Sequence, residues 1–203
     1  MTTDINSMSF TPAGLSIRPL EPAQIRAVYK ERMTVDFPPD ELKSLAIIER
    51  AIRRSEYRCY GGFIGENIAA YAFFVTIRER GETVWLFDYL AVEQSRRDQG
   101  IGSAFLQALR REVLPEADAV LLEIDDPDFA EGEERLHRLR RERFYHRNGL
   151  VDTGVTANVF GVDFKILEVP RRALHDRETC QDYYRELYRR LLPSDIFSRE
   201  VKV

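Results

Sequence analysis

The spacing of hydrophobic positions changes several times along the chain, and each change marks an element. Leu15 to Pro19 predicts a short strand. Ile25, Val28, Tyr29 and Met33 recur at helical spacing and predict a helix over Glu21–Met33. Pro38-Pro39-Asp40 interrupts it, and Leu42, Leu45, Ile48 and Ile52 then predict a second helix. Three strand patterns follow: Tyr57–Ile64, Ile68–Ile77 and Thr83–Val92. The turns between them are Gly65-Glu66-Asn67 and Arg80-Gly81-Glu82, so an antiparallel meander is expected.

After Val92 the helical period returns. Ile101, Ala104, Phe105, Ala108 and Leu109 form an amphipathic stripe that stops near Leu114-Pro115. Ala119–Ile124 is a compact apolar strand, and strand, helix, strand in so few residues implies a parallel crossover. Asp125 to Arg147 is the most charged stretch. It opens as an acidic loop and continues as a helix over Glu133–Arg147, whose opposite charges suit a solvated face. Val155–Phe160 and Val162–Val169 predict a hairpin about Gly161. Asp176–Leu192 predicts a last helix with Tyr184, Leu187, Tyr188 and Leu191 on one stripe. The pattern as a whole is that of an α/β protein with a mixed sheet.

Composition narrows the class. The chain has 203 residues, enough for one domain with its own core. Hydrophobic residues make up 44% and charged residues 32%, as in a folded globular protein. The net charge of -4 argues against a general nucleic-acid binder, although 26 arginines outnumber 4 lysines. No apolar run reaches the ~18 residues of a membrane span. Residues 1–14 are polar and lack the basic end and apolar stretch of a signal peptide, so a loose leader is expected. Cys59 and Cys180 form no disulfide framework, and a reducing cytoplasm is the expected location. His137, His146 and His175 have no ligand spacing, so no metal site is expected.

The chemistry-bearing segment is Leu86–Arg111. A buried strand ends at Val92, a polar loop follows, and Gly100-Ile101-Gly102 opens the amphipathic helix. Amides at a helix start lack internal partners and, with the helix dipole, favour an anion. Arg96 and Arg97 add positive charge. The dinucleotide fingerprint fails, because Phe105 stands where Gly or Ala is required, and no P-loop triplet exists. On this segment alone a phosphate site and a plain strand–turn–helix remain open.

A second segment adds to it. Arg97-Asp98-Gln99-Gly100-Ile101-Gly102 resembles the Arg/Gln-x-x-Gly-x-Gly/Ala loop of the GNAT superfamily of acetyl-CoA-dependent N-acetyltransferases. Phe144-Tyr145-His146-Arg147-Asn148-Gly149-Leu150 resembles that family's Phe/Leu-Tyr-x-x-x-Gly-Phe/Leu element, and Asp88–Val92 resembles its fourth strand. The resemblance covers roughly residues 84–164 closely, with the elements in the family's order.

The resemblance implies the GNAT fold: a mostly antiparallel sheet with one parallel pair, splayed between the strands ending at Val92 and Ile124. Acetyl-CoA would lie in the splay, on the backbone of Leu90, Ala91 and Val92. Its pyrophosphate would meet Arg97, Asp98, Gln99, Gly100, Ile101, Gly102 and Ser103. Tyr145 aligns with the family's general acid. Asp88 and Glu123 are candidates for the base or for attracting a cationic amine, with a structural ion pair as the other reading. Asp88 lies two residues before Leu90, so alternation predicts that both face the same side. The histone-type catalytic Glu position is Leu86 here, so that mechanism on lysine proteins is not implied. Tyr29, Met33, Phe37, Asp128 and Phe129 are expected near the acceptor rim.

These features predict a domain over 15–175 and a helical extension over 176–203, packed on the domain or at a homodimer interface. The expected partner is a small-molecule amine, with no nucleic acid and no membrane. Two other readings stay open at this point: a non-catalytic CoA-binding or interaction module, and an unrelated phosphate-binding α/β domain.

Overall fold

The computed structural model describes residues 14–39, 41–171 and 173–203. Apart from Gly14, the leader expected over 1–14 lies outside these residues. The first elements are β1 (Leu15–Pro19), α1 (Pro22–Val28), a π turn (Tyr29–Met33), the short α2 (Thr34–Asp36) and α3 (Leu45–Arg53). The meander follows as β2 (Tyr57–Ile64), β3 (Asn67–Glu79) and β4 (Glu82–Val92). Next come α4 (Ile101–Glu112), β5 (Ala119–Asp125) and α5 (Gly132–Arg147). The chain closes with β6 (Val151–Val159), β7 (Val162–Glu168), α6 (Arg177–Leu191), α7 (Ser194–Glu200) and β8 (Val201–Lys202).

Two departures from the sequence pattern have local causes. The first helix does not end at Met33. It widens into the π turn, which seats Met33 fully inside the core, and then carries Asp36 under Tyr71 of β3, whose hydroxyl donates to it at 2.8 Å. Strand β6 starts at Val151, earlier than the predicted Val155. A register shift between Asp152 and Val155 holds Gly154 at φ +71°, which hides the alternation of its first residues.

The strands form one sheet in the order β1-β2-β3-β4-β5-β7-β6-β8. Neighbours are antiparallel except β4 and β5, which run parallel because α4 crosses over between them. Helices cover both faces. One core packs Ile25, Val28, Ile48, Tyr184, Leu187 and Tyr188 from α1, α3 and α6 against the sheet. The other packs Ile101, Phe105, Leu106, Leu109 and Tyr145 from α4 and α5. Gly62 of β2 explains how closely α4 lies: a Cβ there would stand 2.6 Å from the Phe105 ring. The α5 helix keeps the predicted solvated face, and Tyr145 is its buried residue among those described. Among the described residues no helix is long and apolar enough to cross a membrane.

The parallel pair positions the site. Four rungs join β4 to β5, from Val84↔Ala119 to Phe87↔Leu122. Beyond Phe87 the strands part. β4 stays on β3 as far as Val92, and β5 pairs with β7 from Leu121 to Asp125. The sheet is therefore splayed where the resemblance implied.

Candidate active site

One wall of the splay is bare backbone. The Glu93 amide donates to the Ala69 carbonyl of β3 at 2.9 Å. Backbone groups alternate sides along a strand, so those of Leu90 and Val92 point the other way, into the gap left by β5. Arg97 reaches this edge, with its Nε donating to the Val92 carbonyl at 3.2 Å. A cavity of about 90 Å³ opens here, lined by Leu90, Ala91, Val92, Gly102, Phe105, Phe144 and Tyr145. The sequence segments read as two separate motifs thus meet around one space.

The start of α4 forms the floor. Asp98 at φ +60° and Gly100 at φ +76° turn the chain so that the helix begins at Ile101. No described side chain caps this end. The first helical bond of this turn runs from the Ala104 amide to the Gly100 carbonyl at 3.0 Å, so the amides of Ile101, Gly102 and Ser103 point outward. The nearby charges are partly engaged. Arg96 pairs with Glu93 at 2.8 Å, and Arg97 pairs with Asp36 at 2.6 Å. The Gln99 side chain folds back onto the Ser95 carbonyl at 3.0 Å.

Asn148, which no motif singled out, ties the two motifs together. Its Nδ2 donates to Ser103 Oγ at 3.1 Å and to the Phe144 carbonyl at 2.8 Å. Arg110 Nη1 donates to the Asn148 carbonyl at 2.6 Å. A Cβ on Gly149 would meet that guanidinium at 2.6 Å, and Gly149 also holds φ +83°. Gly149 is thus required by the turn that orients Tyr145. The Tyr145 ring is buried and its hydroxyl has no hydrogen-bond partner among the described residues. Burial pushes this phenol up to about 12. The Asp125 charge works in the same direction and Arg141 against it.

The opposite face carries the charges. Asp88 does not share a face with Leu90, contrary to the simple alternation. Phe73 of β3 pairs with Tyr89 while Phe74 pairs with Phe87, which leaves Asp88 as the extra residue of a β-bulge. One extra residue reverses the alternation, so Asp88 and Tyr89 both face the α1, α3 and α6 side. Leu90 packs with the α4 side. The Asp88 side chain is only 4% exposed. It accepts from Lys43 Nζ at 2.6 Å and makes a short hydrogen bond with the Tyr57 hydroxyl. Tyr89 anchors the lysine segment: its hydroxyl donates to the Glu41 carbonyl at 3.0 Å and accepts from the Lys43 amide at 2.8 Å.

Glu123 occupies the same face of β5. It accepts from Tyr184 at 2.6 Å and from Tyr188 at 2.8 and 3.0 Å, both on α6. Burial raises the Glu123 carboxyl above the ordinary range. The two tyrosine hydrogen bonds and the Lys43 charge oppose that, and the Asp88 charge adds to it. For Lys43, burial works against the charged form, but Asp88 outweighs it and holds the ammonium above its usual value. Two carboxylates, one ammonium and four phenols therefore surround the mouth of the splay. Sequence reasoning found Asp88 and Glu123 but missed Lys43, Tyr57, Tyr184 and Tyr188 as their partners. The predicted rim is also corrected at Met33, which is wholly buried. Phe37 does reach the cluster, edge-on to Tyr89 at 4.8 Å, while Phe129 is 65% exposed.

A splayed parallel pair over an uncapped helix start, with a motif tyrosine closing the space, defines the acyl-CoA N-acyltransferase fold. Residues 23–149 match the acetyltransferase (GNAT) family, and the chain belongs to it. YjbC of Bacillus subtilis (strain 168), which carries an acetyltransferase name, is 27% identical over 122 residues. That match spans 59% of this chain and 58% of YjbC. A GNAT-family protein from Bacteroides thetaiotaomicron superposes with a TM-score of 0.65 at 16% identity, covering 86% of this chain and 96% of that one. A GNAT acetyltransferase from Elizabethkingia anophelis, solved with acetyl-CoA bound, superposes with a TM-score of 0.51 at 12% identity, covering 78% and 99%. These structural likenesses bear on the fold.

Proposed function

We propose that the chain transfers an acetyl group from acetyl-CoA to a primary amine of a small molecule, by direct attack in a ternary complex. The observation that carries this reading is the splay itself. It has a bare strand edge and a cavity on one face and a buried carboxylate pair on the other. The residues fit the cosubstrate. An extended amide chain can pair with the backbone groups of Leu90 and the amide of Val92, whose carbonyl Arg97 holds, and a pyrophosphate suits the α4 amides. Gly102 leaves room, because a Cβ there would already touch Phe144 and Val92 at 3.4 Å. The acetyl-CoA bound to the Elizabethkingia relative is a supporting parallel.

Acetyl-CoA supplies an acetyl group activated as a thioester. The chain's own residues do the rest. Asp88, exchanging its Lys43 partner for the acceptor, holds the amine as a cation at the mouth of the gap. Glu123, whose carboxyl is raised by burial, takes the amine proton, since a base works best when its affinity approaches the working pH. The strand amide of Leu90 or Ala91 donates to the oxygen that gains charge. Tyr145 gives its proton to the departing thiolate. Arg97, Asp98, Gln99, Ile101 and Ser103 shape the phosphate loop, with Arg97 released from Asp36 or shared between the two. The expected domain division becomes functional in this reading: α6, in the extension beyond 175, completes the acceptor side through Tyr184 and Tyr188. Two buried free thiols, Cys59 and Cys180, are in keeping with a reducing cytoplasm.

Two measurements test the proposal. Calorimetry should show binding of acetyl-CoA in preference to ATP or dinucleotides, and a thiol-release assay over a panel of primary amines should show turnover. Preference for a nucleotide would defeat the cosubstrate assignment. Binding without thiol release would leave a CoA-binding module rather than an enzyme.

A further inference from the structure

Lys43 already occupies the carboxylate proposed to receive an acceptor amine. It belongs to the segment between α2 and α3, yet its Nζ lies 2.6 Å from Asp88 Oδ1 at the bulge. Its charge is also felt by Glu123 across the splay. Asp88 is the residue after the last β4–β5 rung, and Leu90, two positions on, lines the cavity. Asp88 and Leu90 face opposite sides of the sheet, so the Lys43 ammonium would meet the acyl group through the gap that opens beyond the Phe87↔Leu122 rung. The other lysines are placed differently. Lys30 and Lys202 are exposed, and Lys165 is held by Asp126, Asp128 and Glu142 beside α5. The Lys43 segment is pinned through the Tyr89 hydroxyl, so the ammonium is delivered to the site by design of the backbone rather than by a free surface chain.

From this juxtaposition we propose that Lys43 is an internal acceptor, acetylated by its own chain when acetyl-CoA is bound. The inference rests on the reading of the site given under Proposed function. The step balances without a further reactant. One proton leaves Nζ for the Asp88–Glu123 pair, and the neutral nitrogen attacks the acetyl carbonyl carbon. The C–N bond forms and the C–S bond breaks. Tyr145 protonates the thiolate and regains a proton from the nitrogen. The products are Nε-acetyl-Lys43, free CoA thiol and one proton. The acetylated side chain is neutral, so it releases Asp88 and leaves the carboxylate pair to an external amine.

The test is peptide mapping by mass spectrometry of the full chain incubated with acetyl-CoA. One acetyl group should accumulate on Lys43, at a rate that saturates with acetyl-CoA and does not depend on protein concentration. Glu123→Gln should slow it by roughly 100-fold. Gly102→Glu, which fills the cavity, should abolish it while leaving slow chemical labelling of Lys30 and Lys202. Acetyl-CoA binding by calorimetry with Lys43 unmodified would overturn this proposal and spare the wider reading. Labelling of Lys43 that is unchanged in Gly102→Glu would also overturn it. Absence of acetyl-CoA binding would overturn both.

Discussion

Asp88 and Glu123 each stand one residue beyond the rung Phe87↔Leu122, on the same face of the sheet, at the point where β4 and β5 part. Two like charges this deeply buried are costly unless something compensates. Lys43 pairs with one, and three tyrosines donate to the two together. In the proposed mechanism the two divide the labour. Glu123→Gln should lower kcat for an external amine by about 100-fold or more, with little change in KM. Asp88→Asn should chiefly raise KM for the amine. Steady-state kinetics on both variants checks this, and identical effects would refute the division.

Tyr145→Phe removes only a hydroxyl that has no hydrogen-bond partner among the described residues, so the fold should tolerate it. Turnover should fall by about 100-fold or more while acetyl-CoA affinity is kept. Stopped-flow thiol release with calorimetry in parallel separates the two quantities. An unchanged kcat would return Tyr145 to a packing role.

At Gly102 the size of the substituent should decide the outcome. A methyl group meets Phe144 and Val92 at 3.4 Å and needs only small adjustments, so Gly102→Ala should bind acetyl-CoA within about tenfold of the parent. Gly102→Glu places a bulky anion in the cavity beside the proposed phosphate amides and should abolish binding. Calorimetry on the pair tests this, and intact affinity in Gly102→Glu would refute the phosphate-loop assignment.

Another buried carboxylate, away from the site, ties stability to pH. Glu168 is completely buried and accepts from both the amide and the Nδ1 of His175, while Glu82 takes the Nε2. Burial pulls the imidazole down, but the hydrogen bond and charge of Glu168, with Glu82 behind it, outweigh burial and raise it. A value raised on folding means that the folded chain binds the proton more tightly. The contribution is then full below the unfolded value of about 6.5 and is lost as pH rises through the folded value above it. His175→Gln should therefore show its largest loss of Tm near pH ~5.5, shrinking towards pH ~9. A deficit that stays constant with pH would exclude this linkage.

Much of the fold was legible from local pattern. The strand alternation of the meander, the stripe of α4 and the turn glycines depend on near neighbours in the chain, and they emerged with boundaries off by only a few residues. The segments proposed to hold the cosubstrate were legible for the same reason. Gly100-Ile101-Gly102 must turn the chain and uncover a helix start, and Phe144-Tyr145 with Gly149 must close the next helix. Each is a short-range requirement that sequence spacing records.

The acceptor half was decided elsewhere. The bulge at Asp88 depends on the register of β3 against β4, which no residue in β4 announces, and it moved Asp88 to the opposite face from the one alternation predicts. Lys43 meets Asp88 across 45 residues and Tyr188 meets Glu123 across 65. Those encounters arise because the segment before α3 and the face of α6 are folded onto one side of the sheet. The sequence by itself determined the loop, helix start and closing turn proposed to hold the acyl donor. Only the tertiary structure decided what faces it, because a buried charge is tolerated where distant partners converge and convergence has no signature in spacing.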